Sequence, residues 1–226
     1  GVMHQLDKLA WMAMTTRQAH LAEGGVRARR FRTDIGPFAA CVDHSDAAIA
    51  ELVALIPDDG DISLLEPAPP APPPSVTLAM HALGLQMVWT NFGDGTRDFN
   101  IKPLGDADAA EMLALALLTK PGPFRTRTNT LGRFVGIRDG GKLVAMAGER
   151  LQIDGFVEIS GVCTHPDYRG RGYGAALMRH VGARIIADGE TPFLHTYANN
   201  TGAIALYQSL GFETRCEVTH AVWKRA

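Results

Sequence analysis

The segment Arg169-Gly170-Arg171-Gly172-Tyr173-Gly174 places three glycines at alternate positions just ahead of an apolar helical pattern. Glycine at that spacing lets the backbone turn tightly and aim successive N–H groups to one side. A helix starting there adds its unpaired first-turn amides and the positive end of its dipole. The product is an anion site whose natural occupant is a pyrophosphate; a purely structural turn is the bland alternative. Gly-Lys-Ser/Thr is missing, so this is no Walker A loop. It also follows antiparallel hairpins rather than opening a β-α-β unit, which argues against a dinucleotide fold.

Four other residues invite a chemical reading. Glu158 interrupts the apolar strand Phe156-Val157-Glu158-Ile159-Ser160-Gly161-Val162, and alternation puts Glu158, Ser160, Val162 and Thr164 on one face. Either a proton-transfer carboxylate or a salt-bridged strand residue fits that position. Cys163 suggests a covalent acyl carrier, but no histidine is placed to activate it, and a small apolar strand residue is the better reading. His195 and Tyr197 share the next strand pattern and either line a substrate pocket or form an ordinary strand face.

The elements that must hold these residues follow from periodicity. Leu6 to Glu23 has helical character up to Gly24-Gly25, Phe38 to Val42 and Ile62 to Leu65 suggest strands, and Asp46 caps a helix stopped by Pro57. Residues 67–75 hold a proline run expected to be a stiff spacer or, alternatively, an SH3 or WW ligand. Val76 to Thr90 contains Gly84 and suggests two strands or a bent one, so 76–97 reads as connecting strands. From 98 onward the order becomes β α β β β α β α β, with turns at Asp139-Gly140-Gly141 and Asp154-Gly155, a helix from Gly172 to Asp188 and a last strand over Val218 to Trp223. The expected organisation is a motif-free α/β region over 1–66, the linker, and a catalytic unit over 98–226.

Two motifs in that unit carry a resemblance. Arg169-x-x-Gly172-x-Gly174 resembles the Arg/Gln-x-x-Gly-x-Gly/Ala signature of the GNAT superfamily of acyl-CoA-dependent N-acetyltransferases. Asn200-Thr201-Gly202-Ala203-Ile204-Ala205-Leu206-Tyr207-Gln208-Ser209-Leu210-Gly211-Phe212 is similar to its Asn-x-x-Ala-x-x-Leu-Tyr-x-x-x-Gly-Phe element. The added N-terminal half resembles the glycine N-acyltransferase-like branch. The resemblance implies an α/β (α+β) fold with a mixed, mostly antiparallel central sheet flanked by helices. It further implies acetyl-CoA or another acyl-CoA as cosubstrate, with Arg169, Gly170, Arg171, Gly172, Tyr173 and Gly174 at its pyrophosphate. Backbone near Val162, Cys163 and Thr164 would lie along pantetheine, with Asn200 close by. Tyr207 would act as the acid for the leaving thiolate, and Glu158, directly or through water, as the base for a primary amine that attacks the thioester in a ternary complex. A non-catalytic acyl-CoA sensor and a protein N-terminal acetyltransferase are the alternatives.

Composition limits the remaining classes. The 226 residues carry a net charge of −2, so no global field draws the chain to nucleic acid or an anionic membrane. Arg27, Arg29, Arg30 and Arg32 form the one basic cluster, read as a solvated strand or an anchor for an acidic ligand. Cys41, Cys163 and Cys216 show no CxxC, and the eight histidines lack ligand spacing, so neither a disulfide framework nor a metal site is expected. No export signal or membrane-length apolar run is seen, and the expected setting is cytoplasmic. The expected partners are acyl-CoA and a small amine, in a chain that is compatible with a homodimer.

Overall fold

The computed structural model describes residues 3–91 and 98–226. In chain order the strands are β1 (Ala22–Gly24), β2 (Ala28–Phe31), β3 (Ala39–Cys41), β4 (Asp61–Glu66), β5 (Val76–Trp89), β6 (Ile101–Leu104), β7 (Phe134–Asp139), β8 (Lys142–Ile153), β9 (Phe156–Thr164), β10 (Thr191–Tyr197) and β11 (Phe212–Arg225). The helices are α1 (Leu9–Thr15), α2 (Asp46–Ala54), α3 (Ala109–Thr119), α4 (Tyr173–Ala187) and α5 (Thr201–Ser209). Eight strands form one sheet in the order β4-β11-β5-β10-β9-β8-β7-β6, antiparallel except where β9 and β10 run parallel; β1-β2-β3 form a small second sheet.

Alternation along the central strands sends side chains to two helical layers. Ala145, Ala147, Val157 and Ile159 meet Leu177, Met178, Val181 and Ile185 of α4. Met146 and Cys163 meet Met112, Leu115 and Ala116 of α3 on the other side. A glycine in β9 breaks the alternation. Gly161 has φ +65°, and the register jumps from Gly148↔Ser160 to Met146↔Cys163, three steps on β9 against two on β8. The single face expected for Glu158, Ser160, Val162 and Thr164 therefore ends at Gly161. Val162 packs with the α4 cluster and Cys163 with the α3 cluster.

The sheet does not respect a boundary at 98. β5 lies between β10 and β11, and β4 pairs the other edge of β11, so the proline run joins two strands of the same sheet across the end of β11. Val76–Trp89 is one continuous 14-residue strand. Gly84 permits this, because a Cβ there would sit 3.2 Å from both the Thr196 carbonyl oxygen and a Val218 methyl. Residues 92–97 of the expected connecting segment lie outside the described residues.

The region before β4 packs directly on this sheet. Leu6, Leu9, Met14 and Phe31 share a core with Leu151, Ile153, Phe193 and Val218. Gln18 is buried and donates to the carbonyls of Leu131 and Arg150 while accepting from the Gln152 amide. The helix expected over Leu6 to Glu23 is much shorter. Thr15 and Thr16 turn their hydroxyls back onto the carbonyls of Trp11 and Met12, and residues 22–24 pair with β2 instead. The basic cluster serves the same packing: Arg29, Arg30 and Arg32 donate to the carbonyls of Met14, Leu55 and His20.

Candidate active site

The glycine loop forms the geometry its sequence implies. Gly170 and Gly172 have φ +78° and +81°, the left-handed region that suits glycine, and a Cβ at Gly170 would meet no protein atom. Gly172 is the N-cap of α4 and supplies no side-chain cap. Among the described residues no protein acceptor takes the N–H of Gly170, Gly172, Tyr173 or Gly174. Four free donors at a helix N-terminus, with open space before them, suit a pyrophosphate. Neighbouring side chains brace the loop. Arg171 lies 4.6 Å over the Tyr168 ring, Tyr168 donates to Asp139, and Tyr173 packs edge-on against Phe99. Arg169 is exposed at the loop's start.

Beside the loop the sheet opens. β9 and β10 pair only from Thr191↔Phe156 to Phe193↔Glu158; beyond that both continue without facing each other. The β10-facing edge of β9 past Glu158 is thus free to accept an extended, amide-bearing chain along Val162, Cys163 and Thr164. A cleft of about 700 Å³ runs from this splay across the sheet face to β4. Four strand spacings separate β9 from β4, roughly 19 Å. At the splay end the cleft is lined by Ser160, Val162, Asn200 and Tyr207; at the far end by Phe38, Asp61, Ser63, Arg125 and His220. The N-terminal half therefore supplies much of one wall.

Tyr207 and Asn200 arrive together because α5 begins at Asn200, whose side chain caps the helix by accepting from the Ala203 amide. Burial raises the Tyr207 phenol above its ordinary value, which keeps it protonated as an acid must be. No described residue hydrogen-bonds its hydroxyl. Cys163 lies in the α3 core, and burial pushes its thiol up to about 11, far from a nucleophilic thiolate.

Glu158 does not sit as a direct base would. It is fully buried, and all four of its lone-pair positions are taken. Arg150 Nε and Nη2 donate to the two oxygens at 2.6 and 2.7 Å, the Leu151 amide to Oε1 at 3.2 Å, and His195 Nδ1 to Oε2 at 2.5 Å. Burial is the largest single influence and pushes the carboxyl up, but the charge and hydrogen bonds of Arg150 together with those of His195 outweigh it and hold the carboxyl well below the ordinary carboxylate range. The side chain is an ionised anchor with no vacancy for an amine proton.

That anchor stands next to the end of a ladder with one residue from each of five adjacent strands. Asp7 accepts from Arg215 on β11, Arg215 donates to Gln86 Oε1 on β5, and the Gln86 amide faces His195 Nε2 on β10 at 3.1 Å. Since Arg215 occupies Oε1, Gln86 must donate to His195 Nε2, which leaves the proton of His195 on Nδ1 toward Glu158. The ladder then ends at Arg150 on β8, which lies 4.7 Å over the Phe38 ring in the cleft. Both ring nitrogens of His195 are consumed, although the ring lines the cleft.

Apart from Tyr197, several lining residues have no sequence signal of their own. Tyr197 Oη lies 3.1 Å from His220 Nδ1, with the two rings stacked at 24°. His220 is 7% exposed, its Nε2 has no partner among the described residues, and burial lowers its imidazole to about 4. Lys120, which closes α3 at φ +52°, and Arg125 enter from the following loop. Only the pairing β4-β11-β5-β10 unites these positions.

Comparison with known proteins agrees with this geometry. A crystal structure of a putative acetyltransferase from the GNAT family of Novosphingobium aromaticivorans matches at TM-score 0.92 and 42% identity, over 99% of this chain and 100% of that one. The chain belongs to the GNAT family. The model of the FR47-like protein family matches residues 134–223, which hold both the glycine loop and Tyr207. Among GNAT relatives, the N-alpha-acetyltransferase RimI of Mycobacterium tuberculosis is 39% identical over 83 residues, 35% of this chain and 51% of the relative. The [ribosomal protein bS18]-alanine N-acetyltransferase of Escherichia coli is 37% identical over 73 residues, 32% of this chain and 49% of the relative. The chain spans about half the length of these curated relatives. No helix among the described residues is long and apolar enough to cross a membrane.

Proposed function

We propose that this GNAT protein is an acyl-CoA-dependent N-acyltransferase that moves acetyl from acetyl-CoA to a primary amine of a small molecule. The observation that carries the reading is the conjunction of four unpaired loop amides, the β9/β10 splay beside them and a protonated Tyr207 in the cleft that meets the splay at Val162. The acyl-CoA supplies an activated thioester. Gly170 to Gly174 bind its pyrophosphate, the free edge at Val162 to Thr164 aligns the pantetheine amides, and Asn200 borders that arm. A backbone N–H near Val162 or Cys163 polarises the carbonyl, and the Tyr207 hydroxyl delivers its proton to the departing sulfur. Glu158 fixes Arg150 and His195 along the cleft floor rather than taking a proton.

A small acceptor fits the wall built by Phe38, Asp61 and Ser63, which the FR47-like match does not include. The two relatives are named for N-terminal acetylation, but a match of 83 residues is too short to reach from Asp61 to Tyr207, so their acceptor does not transfer with it. An N-terminal half of this kind fits the glycine N-acyltransferase-like branch. The cysteines are all unpaired, as a cytoplasmic setting favours.

Calorimetry with acetyl-CoA and desulfo-CoA, followed by thiol release on a panel of amines and amino acids, tests the reading. Binding with turnover supports transfer. Binding without turnover on any amine would make the protein an acyl-CoA sensor, and no binding would discard both.

A further inference from the structure

Resting on the transfer reading above, we propose that Tyr197 and His220 form the pair that removes the proton from the acceptor amine. Transfer to an amine must dispose of one nitrogen proton as the C–N bond forms and the C–S bond breaks. Two of the cleft's proton acceptors are already committed. Glu158 has four donors on its two oxygens, and His195 uses Nδ1 on Glu158 and Nε2 on Gln86. Recruiting either would break a buried ion pair or reverse the amide of Gln86, itself fixed by Arg215.

The Tyr197–His220 pair has no such commitment. Tyr197 is 43% exposed and lines the cleft on the strand that leads to Asn200. Behind it His220 is nearly buried, and its only partner among the described residues is the Tyr197 hydroxyl. A phenol in front of a neutral imidazole can accept and donate at once. The amine proton passes to Tyr197 Oη, and the Tyr197 proton passes to His220 Nδ1. Meanwhile the Tyr207 proton goes to the thiolate; free thiol and amide leave, and the imidazolium of His220 and the phenolate of Tyr207 are then neutralised by proton exchange through the solvent in the cleft, which resets both residues. Tyr197 touches the substrate, and His220 is the positioning and proton-holding residue behind it.

The groups around His220 tune this role. Arg150 on β8 and His195 on β10 disfavour its charged form, Asp61 on β4 favours it, and burial is the largest influence. Tyr197 on β10 is its hydrogen-bond partner, while Ser63 on β4 and Arg125 after α3 line the same end of the cleft. An imidazole so placed stays neutral at physiological pH but is a weak base. The pair therefore suits an amine that arrives uncharged and sheds its proton only as the bond forms. An α-amine, of ordinary pKa about 7.7–8.0, meets that condition far better than a lysine-like amine near 10.4.

The test uses Tyr197→Phe, His220→Asn and the double variant. Asparagine keeps a hydrogen-bonding atom near the Nδ1 position without titrating. Each is assayed with acetyl-CoA and a panel of amino-acid amides and alkylamines from pH 6 to 9. Each single variant should lower kcat/KM for the amine by about 10²-fold at neutral pH and leave the acetyl-CoA Kd unchanged. The double variant should be no worse than the singles, because the two act as a unit. A proton inventory in mixed H₂O and D₂O should show more than one proton in flight for the wild type and fewer for His220→Asn, a change that lost packing would not produce. Histidine NMR should show a neutral His220 throughout that range. Wild-type kcat/KM in both single variants would overturn the pair while leaving transfer intact. A wild type that binds acetyl-CoA but acetylates no amine would overturn both. If His220→Asn fails to fold, the exposed Tyr197→Phe decides by the same rate and isotope measurements.

Discussion

The site assigned to acyl-CoA is backbone from one stretch, the β9 edge at Val162 to Thr164 and the loop up to Gly174, and it meets the cleft at Val162. The opposite end of the cleft is made of side chains from Phe38, Asp61, Ser63, Arg125, Tyr197 and His220, which only the sheet brings together. Backbone recognition needs glycines at fixed spacing and a helix start, and it tolerates change in most surrounding side chains. Side-chain recognition has no fixed spacing and is rewritten by each substitution. Under the proposed function, the molecule pairs a cosubstrate site built of backbone with an acceptor site built of side chains.

The sharpest way to break this contrast is at the residue between the two ends. Tyr207→Phe should lower kcat by about 10²- to 10⁴-fold and leave the acetyl-CoA Kd near wild type, as steady-state kinetics and calorimetry would show. Next comes the ladder beneath both ends. Glu158→Ala leaves the Arg150 charge buried without its partner, and chemical denaturation should show a loss of about 3–5 kcal/mol. Glu158→Gln should retain the shape of the pH–rate profile, whereas loss of an acidic limb would restore Glu158 as a base. A third effect is confined to the backbone end. Gly172→Val forces a β-branched residue to φ +81°, which should strain the loop by about 1–2 kcal/mol and weaken acetyl-CoA binding roughly tenfold. The smallest belongs to the side-chain end: Asp61→Asn should raise the amine KM by at most about fivefold and leave the acetyl-CoA Kd unchanged.

Acid titration distinguishes the two buried groups. His220 has its folded pKa lowered, so the unfolded chain binds its proton first as pH falls below about 6.5, and stability declines toward pH 4, by up to about 3 kcal/mol. Glu158 also has its folded pKa lowered, but from a carboxylate value. Its contribution is complete above about 4.5 and is lost only as pH falls from there toward the folded value. His4 and His180 are also lowered, so denaturation curves of His220→Asn should show a shallower decline between pH 6.5 and 4 and keep the lower one.

Legibility in the sequence followed the same division. The order of elements after residue 98, the loop, the α5 motif and Cys163 as an inert strand residue were readable because each depends on local spacing. Three features were not. The Gly161 bulge shifts the face of Val162 by a single residue, and alternation has no means of registering one extra residue in a strand. The role of Glu158 depends on Arg150 eight residues away and His195 thirty-seven away, so its saturation is invisible to any window. The pairing of β5 between β10 and β11 is a long-range choice that a proline run at 67–75 disguises as a domain boundary.

The most direct test of the central claim is a calorimetric titration of acetyl-CoA into the wild type, Gly172→Val and Asp61→Asn. The wild type should bind, Gly172→Val should bind roughly tenfold more weakly and Asp61→Asn should keep the wild-type Kd. An unchanged Kd for Gly172→Val, or equal weakening by Asp61→Asn, would contradict the division of the cleft into a backbone-built cosubstrate end and a side-chain-built acceptor end.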